Sequence, residues 1–334
     1  MQDKYIRLAH GNGGRLMREL IDSLISPYLP KDLDTTLDAS PVPVRSGMEM
    51  LMSTDSFTVQ PLFFPGGNIG HLAVHGTVND LAVSGAEPSH LTLNLVLEEG
   101  LAASELEIVM AGFAEAANAA GVKVCAGDTK VVPKGQGSGI YMVTTGIGWK
   151  SPELELSMHC IQAGDKIVVS GSVGDHGIAV MMAREQFGLS GDVKSDAACV
   201  LPFTRVGRDI SGVRFMRDPT RGGVATVLHE LQITTELGIE IDESAVPVKP
   251  AVRSVCDLLG YDPYYLACEG RVVAVVAAEH AEALVAQWRA LPDGQEAAII
   301  GEFVAAQDGV WLNTPLGGQR YLEQLEDEPL PRIC

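Results

Sequence analysis

Four glycine clusters, HGNGG (10–14), FFPGGNIG (63–70), GDHG (174–177) and DPTRGG (218–223), each stand ahead of a segment with helical patterning. Glycine carries no Cβ, so turns of this kind let the backbone come close to a ligand. The helix that follows adds a partial positive end. Glycine is 36 of 334 residues, about 11% against an ordinary ~7%, and the surplus is concentrated in these turns. There is no short repeat and no low-complexity tract. A chain punctuated this way is expected to alternate strands with helices.

The order of elements bears this out and runs twice. In the first run EMLMSTD (49–55) reads as a strand, 68–86 as a helix with Asn68 as its N-cap, and 90–97 as a strand. A helix over 103–120, a strand over 122–128 and a strand over 140–148 follow. The pattern loses its period near 148–163 and then restarts. A strand is expected at 163–171, running into GDHG and a helix; 213–231 reads as strand, glycine loop and helix, 271–288 as strand then helix, and 296–303 as a late strand. The reading is an α/β protein with an N-terminal domain at 1–150, a C-terminal domain at 151–322 and a mobile tail at 323–334.

Charge and cysteine usage narrow the functions available. The formal net charge of −19 repels nucleic acid and anionic membranes, so neither is expected as a partner. Any phosphate ligand must be held by backbone amides, metal ions and a few local basic groups. No apolar run approaches the ~18 residues of a membrane span. The N-terminus lacks the basic-then-apolar layout of a signal peptide, so a cytoplasmic location is expected. The six cysteines are scattered with no C-x-x-C pair, which argues against a zinc ribbon or a disulfide scaffold.

The chemistry-bearing residues lie at the turns. Asp55 and Asp128 each close an apolar strand, and Asp80 interrupts a helix that is apolar nearly all round. A carboxylate buried there without a partner costs several kcal/mol. Mg²⁺, which takes a few carboxylates plus substrate phosphates, is one partner. A salt bridge or a cap is the other reading for each acid alone. In DPTRGG, Thr220 can cap the helix, Arg221 can meet phosphate, and Gly222 and Gly223 allow close approach. GDHG and HGNGG can act likewise, although His10 and His176 also fit capping roles. The loop is neither a Walker A motif nor G-x-G-x-x-G. Lys130 follows Asp128 by two residues, with Lys134 close behind. Glu269 sits at a glycine turn before a strand and can serve as a general base. His71 and His75 are four apart on a helix, yet no third ligand is apparent and packing is the simpler role.

The chain ends EPLPRIC. Pro329 and Pro331 favour an extended tail, and Cys334 carries the last thiol. A lone terminal cysteine is not a prenylation signal.

The stretches HGNGG, STDSFTVQPLFFPGGNIG, AVHGTVNDLAVSGAEP, LEEGL, GDTKVV, TTGIG, GDHG, DPTRGG and the terminal PRIC occur in order along nearly the whole chain. In them the chain closely resembles the HypE carbamoyl dehydratases, nickel–iron hydrogenase maturation factors with the aminoimidazole ribonucleotide synthetase-like (PurM-like) fold. The resemblance implies two α/β domains, ATP held largely by the first, and homodimerisation through its sheet. It implies that HypF, a carbamoyltransferase, loads Cys334, that ATP activates the carbamoyl oxygen, and that dehydration gives a thiocyanate. The cyanide then passes to iron on a HypC–HypD scaffold complex. Under this reading Asp55, Asp80 and Asp128 hold Mg²⁺. His10, Gly11, Gly13, Asn79, Thr220, Arg221 and Gly222 touch ATP or its phosphates. Lys130 stabilises charge and Glu269 accepts a proton.

One departure concerns the residue before Glu269. The family pattern is N-E-G, whereas this chain has Cys268-Glu269-Gly270. A thiol bonds more weakly than an amide, which bears on how Glu269 is oriented. Two other functions fit parts of the pattern. A selenophosphate synthetase-like enzyme would share the fold but expects a reactive Cys or selenocysteine near the N-terminus. A non-catalytic thiol carrier would not need the Asp, Lys and DPTRGG set.

Overall fold

The computed structural model describes residues 3–33, 39–184, 192–305 and 308–326. The expected tail cysteine, Cys334, lies outside them.

The first half contains α1 (Arg15–Leu20), β1 (Glu49–Phe57), the short β2 (Phe63–Phe64) and β3 (Gly67–Asn68), α2 (Ile69–Val83), β4 (Glu87–Glu98), α3 (Ala103–Ala120), β5 (Lys123–Val132) and β6 (Ile140–Lys150). Its main sheet has the order β1-β6-β4-β5, antiparallel except for the β4–β5 pair. Helix α2 begins where the sequence predicts. The Asn68 side chain accepts from the amides of Gly70 at 2.8 Å and His71 at 3.4 Å, a cap of about 1 kcal/mol. Nearly every side chain of α2 is buried, because the helix is sandwiched between the sheet, α3 and the second half of the molecule.

Residues facing each other across the strands share one face of a sheet. Thr54 pairs with Thr145, Thr145 with Thr92, and Thr92 with Ala126; Asn94 pairs with Asp128. The face that includes these residues points away from α2. It leaves Met50 57% and Met52 69% exposed, and no helix among the described residues covers it. The opposite face carries Leu91, Leu93, Leu95 and Phe57 into the core beneath α2 and α3.

The second half contains β7 (Lys166–Val169), α4 (Asp175–Ala183), α5 (Leu201–Asp209), β8 (Val213–Arg217), α6 (Gly223–Thr235), β9 (Gly238–Asp242), α7 (Pro250–Leu259), β10 (Val273–Val276), α8 (Ala278–Arg289), β11 (Ala298–Val304), β12 (Val310–Asn313) and β13 (Gln319–Tyr321). These strands make one seven-stranded sheet, β13-β12-β9-β11-β7-β10-β8. Elements α5, β9, α7 and β12 lie in stretches that the sequence reading leaves unassigned, and β13 ends at Tyr321, where YLEQLEDE reads as a helix end: the described residues there form a strand followed by irregular chain. For α7 the signals exist: Pro250 opens it and Gly260, at φ +74°, closes it.

The two halves are fastened by the segment 192–200. The Ser195 amide donates to the Pro65 carbonyl at 2.8 Å, and the Ser195 hydroxyl shares a hydrogen bond with His176 Nδ1 at 2.8 Å. Gly66 is required there, since a Cβ on it would lie 2.9 Å from the Ser195 carbonyl oxygen. Arg205 and Arg208 of α5 both pair with Glu87 of β4. Among the described residues no helix is long and apolar enough to cross a membrane.

Candidate active site

Strand β1, helix α2, the loop after β8 and the turn before β10 converge on a cleft of about 130 Å³. Asp55, Ser56, Phe57, Gly76, Asp80, Asp218, Thr220, Arg221 and Glu269 line it. Asp55 reaches the cleft because odd-numbered residues of β1 face α2. Gly76 lets the helix come close: a Cβ there would lie 2.6 Å from the Phe57 ring and 3.9 Å from Asp55 Oδ2. Asp80, one helical turn further on, accepts from the Ser53 hydroxyl at 2.6 Å. The cleft opens into a wider groove of about 570 Å³, in which Asp80 and Asp218 meet Ser53, Lys150, Phe215 and Arg217.

Four carboxyls meeting in so small a space repel one another, and burial adds to the effect. Burial, followed by the Asp80 charge, raises Asp55 to about 6, with Arg221 opposing. Burial and Asp80 likewise raise Asp218 to about 7. Burial pushes Glu269 well above the usual carboxylate range, and Asp196, Asp218 and Asp55 push in the same direction. A site like this is short of positive charge, which suits a divalent cation bound together with phosphates. Among the described residues no three or more His, Cys, Asp or Glu side chains are arranged to hold a metal ion by themselves. Asp55, Asp80 and Asp218 therefore fit Mg²⁺ only in its usual mode, with a few carboxylates and the rest of the shell from water or phosphate oxygens.

The expected site residues divide into two groups. Asp55, Asp80, Thr220, Arg221 and Glu269 share the cleft. Gly222 is next to it and adopts φ +71° as the N-cap of α6. Thr220 does not cap that helix: α6 starts at Gly223, whose amide donates to the Thr220 carbonyl at 2.9 Å.

The second group is gathered at β5, the far edge of the same sheet. Asp128 and Lys130 are exposed on the uncovered face. The HGNGG loop packs on the same strand. Gly11 is needed there because a Cβ would lie 2.9 Å from Val131 Cβ, and Gly13 turns the loop at φ +74°. His10 is fully buried, with Nδ1 accepting from the Arg7 amide at 2.9 Å and Nε2 3.4 Å from Asp3. Within one chain this group does not join the Asp55 cleft.

Asn79, expected at phosphate, has other partners. Its Nδ2 donates to the carbonyls of Ala198 at 3.0 Å and Glu269 at 3.2 Å, and its Oδ1 accepts from the Val200 amide at 2.9 Å. Both amide hydrogens are thereby engaged with main chain of the second half, which leaves Asn79 no donor for a phosphate as it is placed here. GDHG is also structural. Asp175 is buried and bound by Ser172, Lys249 and Arg271, while His176 packs edge-on against Phe64. Among the described residues His71 and His75 belong to no metal-holding group: His71 takes the Asn68 amide at 3.3 Å and faces Glu115 at 3.7 Å, and burial lowers His75 to about 4.

Cys268 points away from the cleft. Its sulfur accepts from the Gly174 amide at 3.3 Å within the core of the second half, and burial raises its thiol well above the ordinary range. Glu269 lines the cleft, while Cys268, the residue before it, fills the core of the second half. Two residues that the sequence did not single out belong near the site. Asp218 is visible in DPTRGG only as a turn acid. Asp196 lies in a stretch without period and approaches Glu269 through tertiary contact alone.

Comparison with known proteins fits this arrangement. Residues 37–149 match the AIR synthase related protein, N-terminal domain, and residues 162–312 match the AIR synthase related protein, C-terminal domain. A protein of Escherichia coli strain K12 named carbamoyl dehydratase HypE is 45% identical over 335 residues, covering 98% of this chain and 99% of that one. The structure of hydrogenase maturation protein HypE in complex with ATP superposes with a TM-score of 0.92 at 41% identity, over 98% of this chain and 99% of the other. A chain of the HypE–HypF complex structure superposes with a TM-score of 0.80 at 39% identity, over 93% of this chain and all (100%) of the other.

Proposed function

The chain belongs to the carbamoyl dehydratase HypE family of AIR synthase related proteins, and from that premise we propose how its residues carry out an ATP-dependent dehydration. The substrate is the S-carbamoylated thiol of the chain's own Cys334. The product is a thiocyanate that supplies cyanide for hydrogenase iron. The observation that carries the reading is the cleft itself, where acidic groups from one half and a phosphate-type loop and a buried glutamate from the other surround one space.

Chemically, an amide oxygen is a poor leaving group. Transfer of the γ-phosphoryl of ATP to the carbamoyl oxygen turns it into phosphate. One nitrogen proton is lost as the oxygen is phosphorylated, leaving a C=N–H group, and loss of the second with departure of phosphate then leaves the S–C≡N group. Asp55, Asp80 and Asp218 would hold Mg²⁺, which neutralises phosphate charge when bound. Arg221 and the amides around Gly222 bind and orient phosphate oxygens. Glu269 accepts a nitrogen proton. Its buried setting makes its carboxylate a stronger base than an exposed glutamate.

The tail starts from the right place. Tyr265 donates to the Glu323 carbonyl at 2.7 Å, and the Leu325 side chain lies 3.4 Å from where a Cβ on Gly222 would be. An extended segment of eight residues, the number that follow Glu326, reaches roughly 25 Å at ~3.1 Å each, and the described chain ends beside the phosphate loop.

The division of the site between two edges of one sheet is consistent with a homodimer. The face bearing Met50, Met52, Thr54, Asp128 and Lys130 is the one that a second copy would cover. Asp128, Lys130 and the His10–Gly13 loop then serve the nucleotide site across the interface. HypF is the loading partner and the HypC–HypD complex the acceptor. The working division is 1–150, 151–322 and a tail at 323–334, in a cytoplasmic protein.

The test is intact-mass measurement of carbamoylated protein. With ATP and Mg²⁺, each chain loses one water, located in the C-terminal peptide, as phosphate is released. Normal dehydration in Cys334→Ala would sink the proposal. Loss of water without ATP would favour a carrier processed by other means.

A further inference from the structure

The Glu269 peptide is gripped from both sides. Its N–H donates to Asp196 Oδ1 at 3.2 Å, and its carbonyl accepts from Asn79 Nδ2 at 3.2 Å. Both gripping side chains are buried, and neither lines the cleft. Asp196 is steadied in turn by Arg271, whose Nε lies 3.5 Å from its second oxygen and donates to the Ser172 carbonyl at 2.9 Å. Arg271 also faces Asp175 at 3.6 Å. Gly270 makes the grip possible, since a Cβ there would lie 1.9 Å from the Asp196 carbonyl oxygen.

The two grips come from different places. Asn79 is on α2 of the first half, directly before Asp80 of the cleft. Asp196 is on the segment that fastens the two halves. One helix thus presents Asp80 to the nucleotide side and, from the adjacent residue, holds the main chain of the glutamate on the other side. Placement of a general base matters at the level of ångströms, and a misplacement of about 1 Å can cost 10²-fold. A side chain anchored only by its own rotamer on a turn lacks that accuracy.

We propose that Asn79 and Asp196 are positioning residues for Glu269: they hold its peptide so that the carboxyl meets the substrate proton, and neither contacts ATP. This rests on the dehydratase reading given above, with Glu269 as base.

The experiment is single-turnover dehydration of carbamoylated full-length protein over a range of ATP concentrations. Asn79→Ala is expected to lower the maximal rate by about 10–100-fold while the ATP concentration for half-maximal rate stays within about twofold. Asp196→Ala is expected to behave alike, and Asp196→Asn, which keeps an acceptor for the Glu269 amide, to recover most of the loss. In a Glu269→Gln background, Asn79→Ala should cost less than about twofold more, because the group it places is already gone. A large rise in the half-maximal ATP concentration at unchanged maximal rate would make Asn79 a nucleotide contact and overturn the proposal. Unchanged rates in both alanine variants would overturn it too, as would fully additive losses with Glu269→Gln. If Asn79→Ala does not fold, the Asp196 pair decides by the same criteria. Absence of water loss in the unsubstituted protein would instead bring down the dehydratase reading, so the two failures are separable.

Discussion

Asp55 and Asp128 stand on opposite faces and at opposite edges of one four-stranded sheet. Three strand spacings of ~4.8 Å separate them, roughly 14 Å before the change of face is counted. In the homodimer proposed above they serve one site, each from a different copy. Mixed dimers of Asp55→Asn and Asp128→Asn chains should then recover activity that neither variant shows alone. Random mixing makes half the dimers hybrid, and each hybrid has one intact site of two, so about one quarter of the sites should return. Zero recovery, with hybrids verified by native mass measurement, would place both acids in one chain's site or in none.

The uncovered sheet face should be the contact. Met52, 69% exposed at its edge, becomes a buried charge in a dimer when replaced by Asp, at a cost of several kcal/mol. Sedimentation of Met52→Asp should show a monomer with its secondary structure retained. A dimer of ordinary strength would move the interface elsewhere.

Glu269 gives the rate its pH dependence. A base must be deprotonated, and burial with three acidic neighbours holds this carboxyl well above the ordinary range. The single-turnover rate should therefore keep climbing with pH beyond the point where an exposed glutamate would level off. Glu269→Gln should be slower by roughly 10²–10⁴-fold and lose that limb.

Asp218 affects stability with a definite sign. Its carboxyl is at about 7 in the fold against an ordinary 3.8. Between those values the unfolded chain binds fewer protons, so the stability of the ATP-free protein falls as pH rises and stays low above. Asp218→Asn should stabilise that form at pH 8 by about 2–4 kcal/mol, and by almost nothing at pH 4, in denaturant melts. Asp55, at about 6, acts with the same sign. The same Asn substitution should abolish dehydration, separating stability from function.

Removal of divalent cations by chelation should stop dehydration, and Mg²⁺ should restore it. In Asp80→Asn, restoration should need at least about tenfold more Mg²⁺. Calorimetry in two buffers of different ionisation enthalpy should also show protons released as Mg²⁺ and ATP bind, because raised carboxyls give them up to the cation.

Local signals account for what the sequence made legible. Asn68 is recognisable as a cap behind Gly66 and Gly67, and the apolar run after it could only be a buried helix. Strand-end acids and the DPTRGG turn were equally visible. What stayed hidden depends on strand order. Nothing local shows that β5 is separated from β1 by β6 and β4, so Asp128 looked like a neighbour of Asp55. Asn79 is placed at ATP only by the resemblance, and on a helix it points about 100° away from the adjacent Asp80. Its partners, Ala198, Val200 and Glu269, are more than a hundred residues away. Asp196 could not be found for the same reason.

The inward turn of Cys268 guards the cargo. A thiolate attacks the sulfur of an alkyl thiocyanate, forming a disulfide and expelling cyanide, so a free thiolate on the wall of the cleft would destroy the product before it left. Cys268 directly precedes the base, yet its sulfur is sealed in the core, bonded to the Gly174 amide, and stays protonated at neutral pH. The fold thus places a cysteine one residue from a thiocyanate-forming centre and makes it chemically silent.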